Sequence, residues 1–248
     1  MSPDSGVGDS RTLLPASEFV AWLRREGERR YHALHSFHGR MHDGQLSKQE
    51  LQRWAVNRYY YQTRIPIKDA ILLSKAEDPA FRRIWLRRIT DHDGTDQREG
   101  GLEQWLRLGE ALGVTRERML SHRDVLPGVR FACDAYVNLV RERSLLEGVA
   151  ASLTEFFAPD LMARRVAAFE RHYPYVNRAG LDYFRARVPR ASKDAGEALM
   201  YVVRHAHTFA LQEVCISALV TKTEVLWHLL DCVAAATSGK GTSNAAAC

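Results

Sequence analysis

Three pairs of polar residues in this chain of 248 stand four positions apart: Arg58 with Gln62, Arg88 with His92, and Tyr183 with Arg187. On a helix that spacing puts both members of a pair on one face. Taken singly, each pair is an ordinary surface contact or a satisfied polar group in a core. The segments that carry them also have apolar faces to pack, and a buried charge is tolerated only where something pairs with it. Inward cations meeting around one cavity would therefore make an anion-binding pocket. His92, flanked by Asp91 and Asp93 at what reads as a helix end, is the candidate for proton transfer, since carboxylates beside an imidazole tune it readily. Its plainer reading is a polar helix terminus.

The run "NRYYYQTRIPIKDA" (57–70) places Arg58, Tyr61, Gln62 and Ile65 at helical spacing. That face is either wet or lines a pocket. "YHALHSFHGRMH" carries His32, His35, His38 and His42, whose spacings of three and four could offer two nitrogens to one metal. Helical bundles that hold metals usually supply Glu-x-x-His pairs from different helices, and none occurs here, so no metal site is assigned. Phosphate-binding glycine loops, GxSxG and GxGxxG are absent as well, which argues against a flavin or nicotinamide enzyme of the usual architecture.

These residues need a scaffold, and the pattern around them is helical. Ser47/Glu50 and Ser144/Glu147 read as capping boxes, Asp78-Pro79 as an N-cap and first turn, and Gly94 and Gly113 as helix stops. Pro66 is expected to kink or break one helix, and Pro189 to close a short one over 178–190. From about 193 to 236 no proline interrupts one or two long helices. No alternating β-branched run supports a sheet. The expected fold is all-α, a compact bundle of about seven main helices, with one domain over 15–236 between flexible segments at 1–14 and 237–248.

Hydrophobic content of 46% and charged content of 26% suit a globular protein. The net charge of +5 permits nucleic acid, an acidic membrane or a small anion as partner. The densest basic runs, "RREGERR" and "FRRIWLRRI", follow a helical rhythm and read as solvated faces, so neither nucleic acid nor membrane is assigned. Four cysteines without CxxC spacing read as reduced core thiols. With no export signal and no apolar span of roughly eighteen residues, the expected location is cytoplasmic.

"NRYYYQTRIPIKDA", "RITDHDGTDQREGGLEQWLRLGEALG", "HRDVLPGVRFACDAY", "SLTEFFAP", "RHYPYV" and "YFRARV" occur in order, and together they resemble the pyrroloquinoline quinone (PQQ) synthase family, PqqC. The likeness runs from roughly residue 20 to 235. It implies a haem-oxygenase-like helical bundle, usually a homodimer, that completes PQQ biosynthesis. A bicyclic tricarboxylate quinone precursor (AHQQ) closes its third ring and loses eight electrons to O2, with release of H2O2, without metal or organic cofactor. Matched position by position, the resemblance assigns substrate-binding roles to Tyr31, His32, Arg58, Tyr61, Gln62, Tyr136, Thr154, Glu155 and Arg165. Catalytic roles fall to Arg88, His92, Tyr183, Arg187 and Lys222.

Arginine forks suit carboxylates, and His92 would be the base. Met162 departs from the family, which normally has a histidine at this oxygen-site position; a thioether cannot donate a hydrogen bond or a proton. A peptide-carrier protein of the same pathway is a further partner that the resemblance suggests. Two other readings stay open: a metal-dependent oxidase of the haem-oxygenase-like group, and a non-catalytic protein that binds PQQ or its precursor.

Overall fold

A computed structural model describes residues 12–238, and both outer stretches expected to be flexible lie largely outside them. The described residues fold into eleven α-helices: α1 (Ala16–Glu28), α2 (Ser36–His42), α3 (Lys48–Lys75), α4 (Pro79–Asp93), α5 (Gly101–Ala111), α6 (Arg116–Ser121), α7 (Pro127–Glu142), α8 (Leu145–Ala151), α9 (Ala158–His172), α10 (Asp182–His205) and α11 (Phe209–Ser238). Three 3₁₀ turns, at His32–Leu34, Ser152–Phe157 and Arg178–Leu181, join some of them. The count exceeds the seven expected by four, and three of these, α2, α6 and α8, are only six or seven residues long, too short to show periodicity. A two-residue hairpin, Gly94–Thr95 against Arg98–Glu99, is also present.

Both capping boxes form, Asp78 caps α4 through the amides of Ala80 and Phe81, and Gly113 stands just beyond α5 with φ +83°. Neither proline ends its helix. Pro66 lies inside an unbroken α3 and Pro189 inside an unbroken α10. An interior proline costs about 3 kcal/mol by deleting one hydrogen bond and crowding the preceding turn. Here tertiary packing outweighs it: α3 lies against α4, α5 and α7, and α10 lies along α9. The long C-terminal pattern breaks at 206–208, between α10 and α11.

The centre of the molecule is α3, in which every residue from Trp54 to Gln62 is buried. Trp54, Trp105, Phe169 and Phe184 pack ring to ring beneath it, with Trp105 donating its indole N–H to the Ala55 carbonyl at 3.0 Å. Such aromatic pairs stabilise the core beyond the area they bury. Since α3 has no solvent side along that stretch, its polar residues must face the interior. Cys133 and Cys215 are buried free thiols and Cys232 is a partly exposed one, while Cys248 lies outside the described residues. Among the described residues no helix is long and apolar enough to cross a membrane.

Candidate active site

Side chains from α3, α4, α9, α10, α11 and the turns at 31–34 and 152–157 converge on a small cavity with about 40 Å³ of free interior. Arg58, Tyr61, Gln62 and Ile65 line it from α3, His92 from α4, Met162 from α9, Tyr183 and Arg187 from α10, and Leu226 from α11. Tyr31, His32, Thr154, Glu155 and Ala158 complete the wall. The polar face of the 57–70 run is therefore turned inward onto a cavity.

Local geometry holds the α4 end of this site. The chain reverses at Gly94, where φ is +87°, and a Cβ on Gly100 would stand 2.3 Å from the His92 carbonyl oxygen. Only glycine lets the hairpin close this tightly. Gly101 in turn lies under the Tyr183 ring, where a Cβ would come within 3.2 Å.

On one side of the cavity the buried charges balance. Lys68 Nζ lies 2.5 Å from Asp69 Oδ1 and donates to Ser152 Oγ at 3.0 Å, while Trp85 Nε1 donates to the same Asp69 oxygen at 2.6 Å. Arg187 pairs with Glu155 and, at 3.2 Å, with Asp194. Arg88 sits among all three carboxylates, 3.5 Å from Asp194 and 3.9 Å from Asp69 and Glu155. Three cations face three carboxylates. Although burial opposes its charge, Glu155 is drawn down to about 2 by Arg187 and Arg88, and Arg187 is raised by Glu155.

The other side has cations without counter-charges. Among the described residues, no carboxylate pairs with Arg58, Arg165 or Lys222. Arg58 stacks its guanidinium 4.0 Å from the Tyr61 ring centroid. Lys222 Nζ donates to the Tyr61 hydroxyl at 2.8 Å and lies 3.4 Å over the Tyr136 ring. Arg165 donates to His38 Nε2 at 3.0 Å, and its Nε is buried without a partner. Burial and the neighbouring Arg58 push Arg165 down to about 9 and Lys222 well below the usual lysine range. His32 is likewise held neutral, by burial and by His38 and the surrounding cations, and its Nδ1 is buried without a partner. A region in this state is preorganised for an anion.

His92 lies between the two. Its Nδ1 is 3.1 Å from the Arg88 carbonyl oxygen, which can only accept, so that nitrogen carries the proton and Nε2 is left as a bare acceptor. Burial first and Arg187 second lower the imidazole to about 4. The ring is neutral at neutral pH, as a proton acceptor must be. The adjacent carboxylates do not do the tuning: Asp91 pairs with Arg98 at 2.8 Å, Asp93 is exposed, and the carboxylates that reach His92 electrostatically are Asp69 and Glu155. Neighbours in sequence at a helix end point in different directions, so the tuning comes across helices.

Four residues named from the sequence stand one layer behind the wall. Arg88 belongs to the carboxylate layer, Lys222 and Tyr136 back Tyr61, and Arg165 lies behind Met162. The early histidines diverge: His35 bonds Asp231, and His38 Nδ1 donates to the His32 carbonyl at 3.0 Å. No group of three metal-binding side chains assembles among the described residues. Lys68, Asp69 and Asp194 were not singled out from the sequence, and His38 was weighed only as a metal ligand. Lys68 and Asp69 continue the helical spacing of Tyr61 and Gln62 by seven, and Asp194 follows Arg187 by seven. That signal was hidden by ending both helices at their prolines.

With this geometry in view, the chain was compared with known proteins. It is 50% identical over 219 residues to the bifunctional coenzyme PQQ synthesis protein C/D of Methylorubrum extorquens, covering 88% of this chain and 59% of that one. It is 49% identical over 219 residues to the pyrroloquinoline-quinone synthase of Acidiphilium cryptum, covering 88% and 89%. A Shewanella denitrificans domain with a heme oxygenase-like fold superposes with a TM-score of 0.76 at 13% identity, over 96% of this chain and all of that one, which supports the fold alone. The profile of the TENA/THI-4/PQQC family matches residues 22–232, and the chain belongs to that family.

Proposed function

We propose that this chain catalyses the last step of PQQ formation: ring closure of a bicyclic, polycarboxylated quinone precursor and its eight-electron oxidation by O2, with release of H2O2. Relatives that carry the synthase name at 48–49% identity support the reaction. The observation that carries the site assignment is the juxtaposition of unpaired Arg58, Arg165 and Lys222 with a neutral His92 whose Nε2 is bare.

The precursor's carboxylates take the place of the missing counter-charges, Arg58 binding one as a fork and Gln62 offering its amide N–H groups, since its oxygen already accepts from Tyr183 at 2.9 Å. His92 Nε2 removes a ring proton, and the electron-rich substrate itself reduces O2, so the reading requires no metal or organic cofactor. Each O2 that takes two electrons and two protons leaves as hydrogen peroxide. Tyr183 and Arg187 face the anionic oxygen species as they form. A homodimer and a peptide-carrier partner belong to the same reading, the latter supported by the joint C/D name of the Methylorubrum relative.

One observation favours a second reading. Met162, a thioether, occupies the cavity wall where a donor would help oxygen reduction, which suits a protein that binds the precursor without turning it over. One experiment separates the two: metal-free protein is mixed with the precursor without oxygen, oxygen is admitted, and the absorption spectrum and peroxide are followed. Formation of the tricyclic quinone with peroxide supports the synthase. Stoichiometric binding that stops at an intermediate would overturn it in favour of the binding protein.

A further inference from the structure

Met162 is 6% exposed and forms part of the cavity wall. Among the described residues it is the one methionine on that wall: Met41 and Met119 are fully buried in the core, and Met200 is 63% exposed on the surface. Behind it, Arg165 Nη1 approaches the Met162 sulfur at 3.8 Å, and Nη2 is occupied by His38. Arg165 is 1% exposed, and thioether sulfur is a weak acceptor. The guanidinium is thus underused on the side that faces Met162.

We infer that Met162 is a modification site, oxidised to the sulfoxide in the course of turnover by hydrogen peroxide formed in the cavity. The inference rests on the proposed reaction, which supplies the peroxide. A sulfur lone pair attacks one peroxide oxygen, the O–O bond breaks, and the hydroxide that leaves takes up the remaining proton as water. Sulfur gives up two electrons and the peroxide gains them. The hydroxide departs on the cavity side, away from sulfur; once the side chain turns its new oxygen toward Arg165, Nη1–H donates to the sulfoxide, a far stronger acceptor than the thioether. The product satisfies a buried cation that the reduced side chain leaves poorly paired, and it gives the wall an acceptor that the reduced protein lacks there.

The test reads two tryptic peptides that each contain a single methionine, 144–164 with Met162 and 194–204 with Met200. Metal-free protein turns over the precursor under O2, with and without catalase in the solution, and samples are quenched as quinone accumulates. The expected result is the gain of one oxygen atom on 144–164, rising with the number of turnovers and unchanged by catalase, because the peroxide reacts before it escapes. Oxidation of 194–204 should be abolished by catalase. Quinone formation with 144–164 unmodified overturns the inference and leaves the proposed reaction standing; so does oxidation of 144–164 that catalase suppresses, which would mean peroxide arriving from solution. Absence of quinone overturns the proposed reaction itself and removes the source of peroxide with it.

Discussion

The two charged regions beside the cavity are built from the same residue types and reach neutrality by different routes. Lys68, Arg88 and Arg187 are matched by Asp69, Glu155 and Asp194 within the protein. Arg58, Arg165 and Lys222 have aromatic rings, a hydroxyl and an imidazole for company, and no carboxylate. The first region is complete without a ligand and its charges contribute to holding helices in place. The second is destabilising until an anion arrives, because desolvated charge without a counter-charge is costly. The same chemistry therefore serves structure on one side and binding on the other.

The largest expected effect lies between the regions. His92→Ala should lower turnover by ~10²–10⁴-fold while precursor affinity changes little, as judged by single-turnover oxidation and by titration. An unchanged oxidation rate would remove His92 from the base role. In the free wild-type protein the acid limb of kcat/KM from this group should fall nearer pH 4 than 6.5, since burial and Arg187 hold the imidazole down.

Next is Asp69→Asn, which leaves Lys68 charged, buried and unpaired; a loss of ~3–5 kcal/mol is expected in denaturant unfolding. A near-neutral result would mean that the balanced region is not structural. Arg58→Ala acts on the other region and should weaken precursor binding by ~1.5–3 kcal/mol, with little loss of stability. Were stability to fall as much as for Asp69→Asn, the contrast between the regions would fail.

Lys222→Met sharpens the comparison by its sign. Removing a buried amine that folding must either strip of its proton or leave charged without a counter-charge is expected to raise the stability of the free protein, by a net ~1 kcal/mol after the lost bond to the Tyr61 hydroxyl, even as it weakens binding. The smallest effect is a proton. Burial and Arg58 depress Lys222 in the free protein, and a bound carboxylate raises it again, so binding should take up a fraction of a proton and affinity should fall as pH rises. Calorimetry in two buffers of different ionisation enthalpy measures it, and zero uptake would mean that Lys222 is already charged before the ligand arrives.

Much of the site was legible as motif and spacing. Arg58/Gln62, His92 and Tyr183/Arg187 all reach the wall, and the capping boxes and the glycine stops stand where the local chemistry puts them. The most consequential error concerns the prolines. Pro66 and Pro189 were read as local breakers, yet α3 and α10 continue through them because packing against neighbouring helices outweighs the lost hydrogen bond. Ending those helices hid Lys68, Asp69 and Asp194, and hence two of the three carboxylates around Arg88 and Arg187.

By itself the sequence determined the all-α class, several helix starts and stops, and the identity of the polar residues that one buried face must carry, because caps, turn glycines and helical spacing act within a few residues. Only the tertiary structure decided which cations are paired. That depends on contacts between helices distant in the chain: Glu155 reaches Arg187 from a 3₁₀ turn, Asp69 lies beside Arg88 across two helices, and no such partner comes to Arg58, Arg165 or Lys222. Electrostatic pairing is set by distance in space and by loss of water, and neither is written in local spacing.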